Sequence, residues 1–295
     1  MKRKWIGFVV VLLVLLTLAA GISLAQEKDL YWERFDVDIT ILPNGDFQVV
    51  EYQQIVFIGG TFSQGYRSIP LDRVERITDV EVWEENTRYT LSRSNKPGTY
   101  EVLEEDNQLV VNWYFEPTAD ALRAWALRYT VQGGLRIYEG GDQLYWKAIY
   151  ADRSRPVRAG VVTVHLPAPV TEDQLVVASY GSDAVWKLAD PQTVVFTATR
   201  EIPAYSGLEV RVQFPHGLLT AEKPAWQAAD DRRIEYQERW KPVIGLFVGA
   251  FSLLMLVGGG VGLYLLWFSR GRDTPVELVA EYLNEPPSEL PPGLA

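Results

Sequence analysis

Phe35-Asp36-Val37-Asp38-Ile39-Thr40-Ile41 alternates apolar and polar residues without a slip, and Pro43-Asn44-Gly45-Asp46 follows before the run Phe47 to Phe57. Period-two alternation puts Phe35, Val37, Ile39 and Ile41 on one face of a half-buried strand. The Asn-Gly pair tolerates the positive φ that a tight reversal needs. Residues 35–57 therefore predict a β-hairpin.

Working outward, the same reading predicts strands at Ile77–Trp83, Tyr100–Leu103, Leu109–Phe115 and Trp125–Val131, then at Leu144–Tyr150, Val161–Leu166, Leu175–Ser179, Thr193–Thr199 and Leu208–Phe214. Turn signals such as Lys96-Pro97-Gly98, Gly133-Gly134, Gly140-Gly141-Asp142 and Asp190-Pro191 separate nearly all of them. Many short strands with no helical pattern between them predict an all-β sandwich. The glycine pairs from Gly133 to Gly141 would be the seam if there were two sandwiches. A single unit is expected, because Leu144–Tyr150 follows closely enough to pair with Trp125–Val131 as a hairpin.

Two apolar blocks flank this body. Lys2, Arg3 and Lys4 precede an apolar run from Trp5, and Ser23-Leu24-Ala25 has the small residues of a cleavage site, so residues 1–25 read as a secretory signal, cleaved or retained as an anchor. Val243–Phe268 holds no charge and exceeds the ~20 residues of a spanning helix. Trp240, Tyr264 and Trp267 suit the headgroup layers, and Arg270 with Arg272 suits a cytoplasmic flank. The expected layout is signal 1–25, extracytoplasmic β domain 26–217, juxtamembrane helix or stalk 218–242, transmembrane helix 243–268 and cytoplasmic tail 269–295. Gly245 with Gly249, and Gly258 with Gly262, have the spacing that lets two spanning helices pack closely.

The net charge of −10 is concentrated between the apolar blocks. An acidic body without a basic block excludes a nucleic-acid partner, and zero cysteines exclude a disulfide framework, a thiolate metal site and a cysteine nucleophile. His165 is expected on the polar face or edge of a strand and His216 in a turn, neither with metal-ligand spacing. No phosphate-cradling loop or nucleophile elbow occurs. Asp36 and Asp38 share a strand face, where solvated charges belong, although an acid pair or calcium site uses the same spacing. Trp83, Trp113, Tyr114, Trp125, Tyr129, Tyr145, Trp146, Tyr150 and Trp186 read as core and cross-strand pairs; exposed, they would suit sugar or peptide stacking. No metal and no cofactor is expected.

Several stretches together resemble the YciQ-like family of predicted membrane proteins, built on the domain of unknown function DUF2207. They are Phe35–Ile41 with Asn44-Gly45-Asp46 and Val50-Glu51, Phe57-Ile58-Gly59-Gly60-Thr61-Phe62, Tyr66-Arg67-Ser68-Ile69-Pro70, Leu144-Tyr145-Trp146 and Val164-His165-Leu166-Pro167. Past the apolar helix come Gly271-Arg272-Asp273, Tyr282, Pro286-Pro287 and Leu290-Pro291-Pro292-Gly293. The resemblance implies a secreted β domain tethered by a helix whose cytoplasmic side opens with Gly271, Arg272 and Asp273. Thr274 stands where the family usually has proline. The chain reads as a short form, lacking the further spanning helices of typical members. The family has no established activity.

Arg67, inside Gly65-Tyr66-Arg67-Ser68-Ile69-Pro70, reads as a loop anchor tied to a carboxylate or to carbonyls, or as an anion contact. Arg67, Tyr66 and Trp146 are the candidate ligand or partner contacts. The leading reading is a membrane-anchored binding or assembly module meeting an envelope protein or glycan. The alternatives are a carboxylate-based hydrolase of the cell envelope and a signalling adaptor using the tail with Pro286 and Pro287.

Overall fold

The structure is a computed structural model describing residues 28–272. The expected signal segment lies outside the described residues, as do Asp273, Pro286 and Pro287. The chain forms two compact units, one reaching to Asp230 and the other beginning at Asp231.

The first unit is built from fifteen strands. They are β1 (Asp29–Ile41), β2 (Phe47–Ile58), β3 (Phe62–Pro70), β4 (Arg76–Glu84), β5 (Thr87–Arg88), β6 (Thr90–Leu91), β7 (Thr99–Glu105) and β8 (Gln108–Thr118), followed by β9 (Leu122–Gln132), β10 (Asp142–Ile149), β11 (Gly160–His165), β12 (Val176–Gly181), β13 (Ala184–Asp190), β14 (Thr193–Ala198) and β15 (Leu208–Phe214). Eight of them form one large sheet in the order β13-β14-β11-β1-β2-β9-β4-β5. A four-stranded sheet, β3-β8-β7-β6, and a three-stranded sheet, β10-β15-β12, make up the rest. The two small sheets lie side by side on the same face of the large one. Phe47 of β2 meets Trp146 of β10 at a ring separation of 5.1 Å, while Phe57, further along the same face of β2, meets Phe115 of β8 at 5.7 Å.

The hairpin is present as expected. β1 and β2 pair antiparallel from Ile41↔Phe47 outward, and Gly45 takes φ 84° in the turn, a conformation that favours glycine. Phe35, Val37, Ile39 and Ile41 are all buried. Burying side chains of this size contributes about 1.5–3 kcal/mol each. On its other side β1 pairs parallel with β11, which makes β1 a central strand.

Two expectations are corrected. β9 and β10 do not form a hairpin: β9 pairs with β2 and β4, and β10 pairs with β15 in a different sheet. The glycine-rich stretch between them carries the chain from the large sheet to the covering layer. Gly65–Pro70, read as a loop around Arg67, belong to strand β3; Gly65 and Pro70 hid it, and it sits at a sheet edge, where proline is tolerated. His165 keeps to its expected polar face, on β11 between β1 and β14.

The expected juxtamembrane segment divides. Leu218, Leu219 and Ala221 pack against the β core. Helix α1 (Gln227–Glu235) leads through a π-register turn, Tyr236–Trp240, into α2 (Lys241–Arg270). The start of α1 is bound to the first unit: the buried Gln227 side chain bonds both the N–H and the C=O of Ile137 at 3.0 Å, and Asp230 pairs with Arg136 at 2.5 Å. The continuous helix Gln227–Arg270 is long and apolar enough to cross a membrane. Its residues 243–257 are exposed throughout, as a surface meant for lipid would be.

Candidate functional site

The inner face of β2 reads Phe47, Val49, Glu51, Gln53, Ile55, Phe57, and all six are buried. Two polar residues thus occupy core positions, and burying an unpaired carboxylate would cost several kcal/mol. Glu51, 0% exposed, is instead fully engaged. Arg67 Nε donates to it at 2.9 and 3.0 Å, the Tyr129 hydroxyl donates at 2.9 Å, and Gln53 Nε2 donates at 3.3 Å. Gln53 Oε1 accepts from the Trp32 indole at 2.9 Å. The Arg67 guanidinium, 2% exposed, stacks 4.2 Å from the Tyr150 ring centroid and donates to the Ser68 carbonyl.

The electrostatics follow from this enclosure. Burial opposes the charge on Arg67, but Glu51 and then Tyr129 more than offset it and hold its pKa above the ordinary value. Burial, reinforced by Glu51, raises the Tyr129 pKa. Burial likewise raises that of Tyr150, against the opposing effect of Arg67.

Arg67 sits at a seam. β3 is one outer strand of the four-stranded sheet and β10 one outer strand of the three-stranded sheet, and three cavities lie between them. One of about 180 Å³ is bounded by Gln64, Gly65 and Tyr66 on one wall and Tyr150, Asp152, Arg153 and Ser154 on the other, with Trp32, Phe57, Trp113, Phe115 and Trp125 beneath. One of about 480 Å³ joins Arg67, Ser68 and Pro70 to Lys147, Ile149, Tyr150 and Asp152. The smallest joins Arg67, Ile69 and Pro70 to Tyr145, Trp146 and Lys147. Gly65 is required here: a Cβ on it would fall 2.4 Å from the Trp113 ring. Buried Arg153 holds the far wall together, donating to the carbonyls of Tyr150 at 2.9 Å and Arg155 at 2.8 Å.

The structure brings the three candidate contacts to this seam in different roles. Tyr66 is 58% exposed on the β3 edge. Arg67 is enclosed and paired. Trp146 is buried against Phe47 and Tyr129, yet it lines the smallest cavity. Sequence reading missed Glu51, Gln53 and Tyr129; the signal was there in the phase of β2, whose alternation places Glu51 and Gln53 on the same face as Phe47 and Phe57.

Asp38 Oδ2 lies 3.0 Å from His165 Nε2 on the partly solvated outer face, and Asp36 pairs with Arg34 there. His216 Nδ1 lies 2.9 Å from buried Asp142. None of the nine aromatic residues singled out is exposed. Gly271 and Arg272 follow α2, the Arg272 guanidinium 4.7 Å from the Phe268 ring centroid. A Cβ added at Gly245, Gly249, Gly258 or Gly262 would meet open space. Among the described residues no group of three or more His, Asp or Glu side chains could hold a metal ion.

No curated protein matches the sequence. Among solved structures, an M1 zinc metallopeptidase from Deinococcus radiodurans is 13% identical, with 64% of this chain and 43% of that chain covered and a TM-score of 0.39. Yeast LTA4 hydrolase in complex with bestatin is 11% identical, with 63% and 30% covered and a TM-score of 0.42. The matched region thus spans less than half of either protein, and likeness at this level says nothing about chemistry. The N-terminal domain of DUF2207, described as a predicted membrane protein, matches residues 31–214. A strand-built body across that span, followed by one long apolar helix, agrees with this description, and the chain belongs to the DUF2207 family of predicted membrane proteins.

Proposed function

We propose that this protein is a membrane-anchored binding module whose β domain stands outside the cytoplasm and holds a partner in the seam between β3 and β10. The observation that carries the reading is the set of three cavities along one seam, with aromatic side chains below and the exposed Tyr66 at the rim. Largely pre-formed concave sites, apolar with a few placed polar groups, are where proteins hold ligands. The buried Glu51–Arg67 pair gives the seam a rigid base, since each of its members is fixed by further partners. The orientation rests on the signal-like residues 1–25 and on Arg270 and Arg272 after the apolar helix. The open glycine positions on α2 suit close packing against a second helix.

A photo-crosslinking side chain placed at Tyr66 in the full-length protein, expressed in its native cell, tests the reading. A covalent adduct with a partner is expected from Tyr66 and not from the exposed, remote Val185. Absence of any adduct at Tyr66, or equal capture at both positions, would overturn it. External protease is expected to degrade residues 28–230 in intact cells; their protection would overturn the orientation.

A further inference from the structure

The main-chain groups along the two walls of the seam point in determinable directions. The Tyr114 carbonyl accepts from the Gly98 N–H at 2.9 Å, on the β7 side of β8. Main-chain groups alternate sides along an antiparallel strand, so Trp113, Val111 and Leu109 turn theirs toward β3. Their register partners are Gly65, Arg67 and Ile69, and the Leu71 N–H to Asn107 carbonyl bond at 3.0 Å continues the same phase. The main-chain groups of Gln64, Tyr66 and Ser68 are therefore directed away from β8, across the seam. On the other wall Gln143 exchanges both main-chain bonds with Arg136, at 2.8 and 2.9 Å, on the side away from β15. Tyr145 and Lys147, two and four residues on, direct theirs to that same open side. Among the described residues no strand pairs with either edge.

Two exposed strand edges of this kind are templates for a further strand. Two buried groups beneath them point the same way. The indole N–H of Trp113 has no hydrogen-bond partner and that of Trp146 makes no well-formed bond, its nearest acceptor being the Tyr129 hydroxyl, although both residues are buried, and each lines one of the seam cavities. Buried donors without acceptors are uncommon and call for an explanation. The Arg67 guanidinium meanwhile covers the Ser68 carbonyl, one of the edge acceptors.

We infer that the seam takes an extended polypeptide segment, which adds a strand between β3 and β10 and joins the two small sheets into one layer. This rests on the binding reading above and names the class of partner. The cavities match Gln64–Tyr66 with residues 150–154 and Ile69–Pro70 with residues 145–147, so the walls run antiparallel. The incoming strand is antiparallel to one wall and parallel to the other. At about 3.3 Å per residue, Gln64 to Pro70 accommodates roughly six or seven residues. Main-chain bonds supply affinity in this mode and pockets select alternate side chains; the aromatic cavity selects an apolar one.

The test uses full-length protein in lipid nanodiscs and a displayed library of random peptides of about seven residues. Enrichment of peptides with an apolar residue at a fixed position is expected. Methylating any one central peptide amide should weaken binding about tenfold, the worth of one such bond, at residues of both parities, because both edges are used. Tyr66→Pro, which removes a seam-directed N–H and spares the β8 pairing, should weaken binding similarly, while Tyr66→Ala changes it less. The methylated peptides decide the matter should Tyr66→Pro fail to fold. Failure to enrich any peptide, or tolerance of methylation at either parity, overturns the two-edged insertion. If Tyr66 captures a partner in cells while the library yields nothing, the binding reading stands and strand addition falls; if both fail, both fall.

Discussion

The large sheet carries a paired carboxylate on each face, and the two contacts have nearly the same geometry. Asp38 and His165 lie 3.0 Å apart on the outer face at 49% and 38% exposure, while Glu51 and Arg67 lie 2.9 Å apart on the inner face at 0% and 2%. Water decides what each is worth. Outside, solvent screens both groups whether or not they meet, so the contact adds little. Inside, each group has lost its hydration, and the pair stands only because Tyr129, Gln53, Ser68 and Tyr150 complete the coordination. The inner pair is also the one beneath the seam, so its rigidity bears on the binding proposed there and that of the outer pair does not.

The comparison can be broken most forcefully with alkali. Tyr129 and Tyr150 on the inner side have pKa values raised above the ordinary 10.0, and half-buried Tyr145, by partial burial and its bond to Glu209, is pushed up to about 12. The unfolded chain releases these protons near 10.0 while the folded chain keeps them. Their contribution is therefore complete below that pH and lost as pH climbs through the folded values. The share of tyrosinate absorbance that Tyr129→Phe and Tyr150→Phe remove should rise together with unfolding, not before it, whatever exposed rings such as Tyr66 and Tyr205 contribute; its appearance without unfolding would show that these rings are open to water.

Next in size is Arg67→Ala, which strands Glu51 and should cost about 3–5 kcal/mol in thermal unfolding of the nanodisc-held protein. The double variant Glu51→Leu with Arg67→Met should lose less than Arg67→Ala alone; a greater loss would mean that Arg67 acts independently of Glu51. Tyr129→Phe removes one hydrogen bond to a buried charge, with an expected loss of about 1.5–3 kcal/mol. Gly65→Ala pushes the Trp113 ring aside at about 1–3 kcal/mol, and its indole fluorescence should shift as the ring moves. On the outer face, His165→Gln should cost no more than about 1 kcal/mol. An outer-face loss equal to the Tyr129→Phe loss would erase the distinction between the faces.

How much of this was legible depends on the reach of each interaction. The hairpin of β1 and β2 was readable because Pro43–Asp46 and the flanking alternation act over a few residues. β3 was not, because glycine at 65 serves the distant Trp113 and proline at 70 is harmless only on an edge. The β9–β10 hairpin was expected from proximity in sequence, and proximity does not choose between sheets. Glu51 was visible as a carboxylate in the buried phase of an alternating strand. Its partners, Arg67 and Tyr129, come from other strands, 16 and 78 residues away.

Periodicity and local turn chemistry, which act between near neighbours along the chain, were enough to determine that this protein is strand-built, that one face of β1 is buried, and that a single apolar helix long enough for a bilayer follows the body. Which strands share a sheet, which edges stay open and which buried charge finds a partner were decided by packing between residues far apart in sequence. Those choices depend on the whole layer assembling at once, and the seam exists only because two small sheets meet over the same large one.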